Sequence, residues 1–258
     1  MSKISLKPVL VLAVLLLAAL PAAAEEMTLD QVVAKNMEAR GGEDAWEAIK
    51  SVKIVGQMAM GQGIEAPFTI YFKRPDKMRL EFQFQGMTAV QAYDGSEGWQ
   101  VMPMMGSTEP AAMSEDELKR VRNQADFEGP LFNWAEKGHE VELIGKEEVE
   151  GTEAYKLKIK TAEGDESFTF LDADHFLEFR QESSMTTPTG QELQTEVTFG
   201  DYKEVGDIVM YHSVEMKPVG APAGQVITFS SVEVNTGDVD DAMFTKPAAE
   251  KAEAPSGR

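Results

Sequence analysis

The sequence predicts a mainly β (α+β) protein, a long and strongly curved antiparallel sheet forming an unclosed half-barrel whose concave face is covered by helices. Three observations lead there. Apolar residues recur with a period of two in about 11 to 12 segments separated by turn residues, the pattern of successive antiparallel strands. Helical spacing behind a capping signature occurs at the front of the chain and once in the middle of the strand series. A sheet of that many strands curls as it twists, so its apolar concave face needs a cover, and the helical segments supply it.

The elements follow in chain order. Residues 1–24 read as a signal peptide: Lys3 and Lys7, an apolar run from Val9 to Leu20, then Ala22-Ala23-Ala24 ahead of two glutamates, with cleavage expected after Ala24. That run of 12 residues is shorter than the about 20 a spanning helix needs. One domain is expected over 25–247. The tail 248–258, "AAEKAEAPSGR", is small, polar and charged, and is expected to be disordered.

Thr28-Leu-Asp-Gln31 is a capping box, and Leu29, Val32, Val33 and Met37 continue at helical spacing to Gly41-Gly42, giving a helix over about 29–40. Trp46 and Ile49 suggest a second, short helix. From Ser51 the period becomes two: Val52, Ile54, Met58 and Met60, then Phe68, Ile70 and Phe72, then Met78, Leu80, Phe82 and Phe84. Arg74-Pro75-Asp76-Lys77 and Asp94-Gly95 with Gly98 read as turns. The pattern stops at Pro103. A second capping box, Ser114-Glu-Asp-Glu117, starts a helix with Leu118, Val121 and Ala125 on one side, and "GPLFNWAEKG" (129–138) adds a further turn or two. Strands resume over 139–149, 153–161, 165–172, 175–184, 191–202, 208–217 and 224–235, with turns at 150–151, 163–165 and 203–207.

Composition removes several classes of function. With 24 basic and 44 acidic residues the net charge is −20, and without Lys3 and Lys7 it is −22, so nucleic acid and bare anionic lipid repel the chain. There is no cysteine, which excludes thiolate catalysis, iron–sulfur clusters and a lipid-modified cysteine anchor. Neither a Gly-x-Ser-x-Gly elbow nor a Ser-x-x-Lys pair occurs, and no enzyme activity or cofactor is expected. His139, His175 and His212 are scattered. Asp172, Asp174 and His175, and the acids of 236–244, fall where turns are needed and are read as turn formers, not metal ligands. Lys119, Arg120 and Arg122 form a basic cluster in which Lys119 and Arg120 follow Glu115 and Asp116 at the spacing of intrahelical ion pairs, a solvated helix face.

Several local patterns, in order, resemble one family. "FKRPDKMRLEF" (72–82), "AYDGSEGWQV" (92–101), "GPLFNW" (129–134), "FLDADHFLEFRQE" (170–182), "FGDYKEVGDIVMYHSVEM" (199–216) and "DDAMFTKP" (240–247) are similar to the periplasmic lipoprotein-carrier, LolA-like, superfamily, and most of all to its outer-membrane lipoprotein-sorting branch. Each pattern is weak alone; together they cover about 28 to 247. The resemblance implies helices filling the concave side of the half-barrel over an apolar pocket for acyl chains. It also implies a donor in an inner-membrane export complex and an acceptor at the outer membrane. The family places an arginine that bonds lid backbone in the strand after the Lys-Arg-Pro turn, and Arg79 holds that place. Alternation in the strand says otherwise: Met78, Leu80, Phe82 and Phe84 share one face, and Arg79 lies on the polar one. Where relatives carry Gly-Ile-x-x-Pro, this chain reads Asp207-Ile208-Val209-Met210-Tyr211.

The expected function is a soluble, monomeric periplasmic carrier of lipid or lipoprotein acyl chains; the alternative is an envelope sensor on the same fold. Methionine is flexible and polarizable and recurs at promiscuous apolar sites. The expected lining is therefore Met58, Met60, Phe68, Phe82, Phe84, Trp99, Met102, Met104, Met105 and Leu118, with ordinary core packing as the competing role for each.

Overall fold

A computed structural model describes residues 27–59, 63–186 and 192–247. Residues 1–24, Met60 and the tail 248–258 lie outside the described residues. Both capping boxes form. Thr28 accepts from the Gln31 backbone and Gln31 reaches back to Thr28, opening α1 (Leu29–Ala39). Ser114 and Glu117 do the same for α3 (Glu115–Ala125). Between them α2 is a single short stretch, Glu43–Glu47. Gly41 makes that corner possible: its φ is +108°, and a Cβ there would stand 2.3 Å from the Asp207 carbonyl oxygen.

The strands are β1 (Ser51–Ala59), β2 (Glu65–Lys73), β3 (Lys77–Phe84), β4 (Met87–Tyr93), β5 (Gly98–Met102), β6 (Ser107–Ala112), β7 (Glu140–Val149), β8 (Thr152–Lys160), β9 (Glu166–Asp172), β10 (Glu178–Thr186), β11 (Glu192–Gly200), β12 (Lys203–Val205), β13 (Ile208–Met210), β14 (Ser213–Pro218) and β15 (Gln225–Val234). Thirteen of them make one antiparallel sheet in the order β6-β5-β4-β3-β2-β1-β15-β14-β11-β10-β9-β8-β7, while β12 and β13 pair separately. The two edges, β6 and β7, do not meet, so the sheet is an unclosed half-barrel. The last strand returns to the first, with Val52 opposite Val234 and Met58 opposite Ile227, and this seam joins the two halves of the chain.

Three elements depart from the expectation. β6, "STEPAA", has no apolar alternation; it is an edge strand held to β5 by backbone pairing. The expected strand 208–217 breaks at Tyr211-His212, and its first part turns back on β12. The segment 127–138 is a series of turns, not an extension of the helix, and it is anchored by Leu131 and Phe132, 2% and 3% exposed.

Register places Ile54, Ile70 and Leu80 on one face together with Phe68, Phe82 and Met78, and this is the concave side. Two apolar clusters fill it. In the first, Val52, Ile54, Phe68 and Phe72 pack under Val121 and Ala125 of α3 and Trp46 of α2. In the second, Leu157, Ile159 and Leu171 pack under Val32 of α1 and Leu131. The basic residues of α3 do not pair within their helix. Lys119 bonds Asp165 at 2.7 Å and Arg122 bonds Glu163 at 2.9 Å, both in the β8–β9 turn, while Glu117 takes Gln100 of β5 at 2.7 Å. α3 therefore bridges the concavity from one half of the sheet to the other.

Candidate functional site

Beneath this cover lies a cavity of about 200 Å³. Its apolar wall is built from sheet residues on the concave face, Ile54, Ile70 and Phe72 from the first half of the chain and Phe199 and Phe229 from the second. The roof is the connection after α3, where Phe127 stands 5.7 Å from the Phe72 ring and 6.4 Å from that of Trp46. The far end is polar, with Arg40, Glu178, Gln181, Tyr202 and Tyr211. The Tyr202 hydroxyl donates to the Glu178 carbonyl, and burial pushes its pKa far above the usual phenol range.

The roof is tied down by charge. Arg74, at the end of β2, donates from Nε to the Ile49 carbonyl at 2.6 Å and from Nη2 to the Trp46 carbonyl at 2.8 Å, and it pairs with the buried carboxylate of Glu128. Lys137 bonds Asp126 at 2.6 Å and the Gly129 carbonyl at 3.0 Å. One arginine thus links the α2 corner, the sheet and the roof. Sequence reasoning passed over it as a turn residue; the signal available was the same "Lys-Arg-Pro" pattern that directed attention to Arg79.

Arg79 is on the face that alternation assigns it, and it does not touch the cover. Its Nε bonds Glu81 at 2.7 Å and its Nη1 bonds the Met243 carbonyl at 2.8 Å. Trp99 shares that convex face, pairing across from Ala92, and its indole donates to the Phe244 carbonyl at 2.8 Å, with Phe244 fully buried. Residues 239–244 therefore strap the back of β3–β5, so Arg79 latches the C-terminal strap and Trp99 packs outside the concavity. Both correct the expected assignments. Met105 is 81% exposed and lines nothing.

Of the others, Met58, Phe82 and Leu118 lie partly buried against the first cluster, and Phe68 is buried with its ring edge toward Phe229. Phe68 lies over Gly56, where a Cβ would come within 2.5 Å of the ring. Phe84 is half-buried on the same face, and Met102 and Met104 are half-buried at the strand ends. Met58, Phe68, Phe82 and Phe84 share the concave wall and Leu118 belongs to the α3 cover, but none of these residues lines the cavity. The remaining candidates behave as turns: the Asp172 carboxylate accepts from the backbone of Asp174 and His175. Among the described residues no group of three His, Asp or Glu side chains is placed to hold a metal.

No family model matches the sequence, and a search of curated proteins finds no match. Solved structures do match. A LolA superfamily protein, NE2245 from Nitrosomonas europaea, is 14% identical, with 85% of this chain and 98% of that one covered at a TM-score of 0.55. A putative outer membrane lipoprotein-sorting protein domain from Vibrio parahaemolyticus is 13% identical over 82% and 94% at 0.54. A DUF1329 family protein from Desulfovibrio piger is 14% identical over 84% and 96% at 0.56. The chain has the LolA-like fold.

Proposed function

We propose that the chain is a non-enzymatic carrier that shields acyl chains of lipoproteins or lipids within the half-barrel, in the periplasm, on their way toward the outer membrane. An inner-membrane export complex and an outer-membrane acceptor are the partners such a role requires. The observation that carries the reading is the roofed cavity with its apolar wall of Ile54, Ile70, Phe72, Phe199 and Phe229. Each methylene buried contributes about 0.8 kcal/mol, so an acyl chain needs no charged contact to bind. The about 200 Å³ available is below the ~300–1,000 Å³ of pockets that enclose whole small ligands, so a full chain requires the roof to part. The shared fold with a lipoprotein-sorting domain is consistent with this role.

The test is titration with a fluorescent dodecanoyl probe. Ile70→Asp places a carboxylate in the cavity wall and should reduce affinity more than tenfold, a desolvation cost of at least about 1.4 kcal/mol, while Met58→Asp, outside the cavity, should act less. Equal binding by wild type and folded Ile70→Asp protein would refute the site.

A further inference from the structure

The polar end of the cavity holds hydrogen-bonding capacity that the protein itself leaves unused. Arg40, at the C-terminal end of α1, is 7% exposed, and its guanidinium lies over the Trp46 ring, 4.3 Å from the centroid. Its acidic neighbour Glu178 is 3.7 Å away, beyond hydrogen-bond reach. Among the described residues the guanidinium makes no hydrogen bond, and the hydroxyl of Tyr211 on the same wall makes none either. Burial pushes the Tyr211 phenol up, with Arg40 acting against that rise and Glu178 with it, so both charges are felt at that hydroxyl. Neither the guanidinium nitrogens nor this hydroxyl is among the fully enclosed unpartnered atoms, so both stay open to the cavity space and to what occupies it. A guanidinium has five N–H donors, and placed on an apolar cavity they mark where the polar part of a ligand sits.

The charge of that polar part follows from what surrounds it. Glu178 already balances Arg40. Asp126 and Glu128 also line the cavity, and they are occupied by Lys137 and Arg74. A free carboxylate would enter as a fourth anion, lose its hydration and compete with Glu178 for the guanidinium. A neutral carbonyl accepts the same donors and leaves the ion pair in place. We propose that this end of the cavity selects an acyl chain in ester or amide linkage, its uncharged carbonyl accepting from Arg40 and the Tyr211 hydroxyl, over the same chain as a free acid. The inference rests on the acyl-carrier reading given above.

Competition against a neutral fluorescent dodecanoyl ester tests it, with monododecanoylglycerol and dodecanoate as competitors at pH 8 and below their micellar concentrations. The wild-type protein should be competed by the glycerol ester at about a tenfold lower concentration than by dodecanoate. Glu178→Gln removes one anion without changing shape and should shift the preference about tenfold toward dodecanoate. Tyr211→Phe, which keeps the ring packing, should weaken the ester several-fold and serves if the first variant fails to fold by circular dichroism. Dodecanoate competing as well as the ester in wild type, or a preference unmoved in the folded variants, would overturn the selectivity alone. Failure of both competitors to bind wild type would instead sink the acyl-carrier reading, and the selectivity with it.

Discussion

Replacing Arg74 by leucine removes the side chain whose polar contacts tie α2, β2 and the roof together. Two charge-assisted bonds to the Ile49 and Trp46 carbonyls are lost, and Glu128, with a side chain 9% exposed, is left with Lys137 at 3.6 Å. Losing such contacts costs about 2–4 kcal/mol, the Arg74 side chain being 30% exposed and partly replaceable by water. The roof keeps its apolar anchors Phe127, Leu131 and Phe132, together worth about 5–9 kcal/mol of burial, so it should stay docked on average. Its local opening should nevertheless become easier by that 2–4 kcal/mol, which is roughly 30- to 700-fold in hydrogen exchange. The assay is exchange across 126–132, with Arg79→Leu as the control that loosens 240–246 and not the roof. Unchanged exchange at 126–132 in Arg74→Leu, or an equal increase in Arg79→Leu, would refute the assignment of the latch.

Two further outcomes follow from the same geometry. The carboxyl of Glu117 is held below its ordinary value mainly by the Ser114 backbone and hydroxyl, then by Gln100. A depressed carboxylate contributes stability present above its unfolded pKa and lost as pH falls through the folded one. Exchange protection over 115–125 should therefore decline below the ordinary glutamate range, and Glu117→Gln should flatten that decline; an identical pH profile would contradict the cause. Trp99→Phe leaves the buried Phe244 carbonyl without its donor and should cost about 1–3 kcal/mol in thermal unfolding while acyl-probe affinity stays put. A loss of binding at unchanged stability would return Trp99 to the ligand site.

Much of the fold is legible in the sequence because its signals are local. The capping boxes at Thr28 and Ser114 fix where α1 and α3 begin, and period-two alternation fixes which side of β1, β2 and β3 faces inward. β6 escapes because an edge strand pairs through backbone alone and needs no apolar face. The site is harder for a different reason. Its wall joins Ile54 and Ile70 to Phe199 and Phe229, residues brought together only by the β1–β15 seam, and its polar end uses Arg40 and Glu178, one at a helix end and one at a strand start, where periodicity carries no information. The methionines drew attention by type, yet Met105 points to solvent and the methionine that lines the cavity, Met210, was not among those expected. Arg79 illustrates both limits: alternation placed it on the correct face, but that this face is covered depends on 239–244, which reads in sequence as an acidic turn.

The central claim, that the roofed cavity carries acyl chains, is tested most directly by gentle native mass spectrometry of the protein isolated from its own host, followed by lipid extraction. The account predicts a bound species carrying acyl chains in ester or amide linkage, lost in Ile70→Asp. Protein free of lipid, together with no binding of any acyl probe after reconstitution, would contradict it.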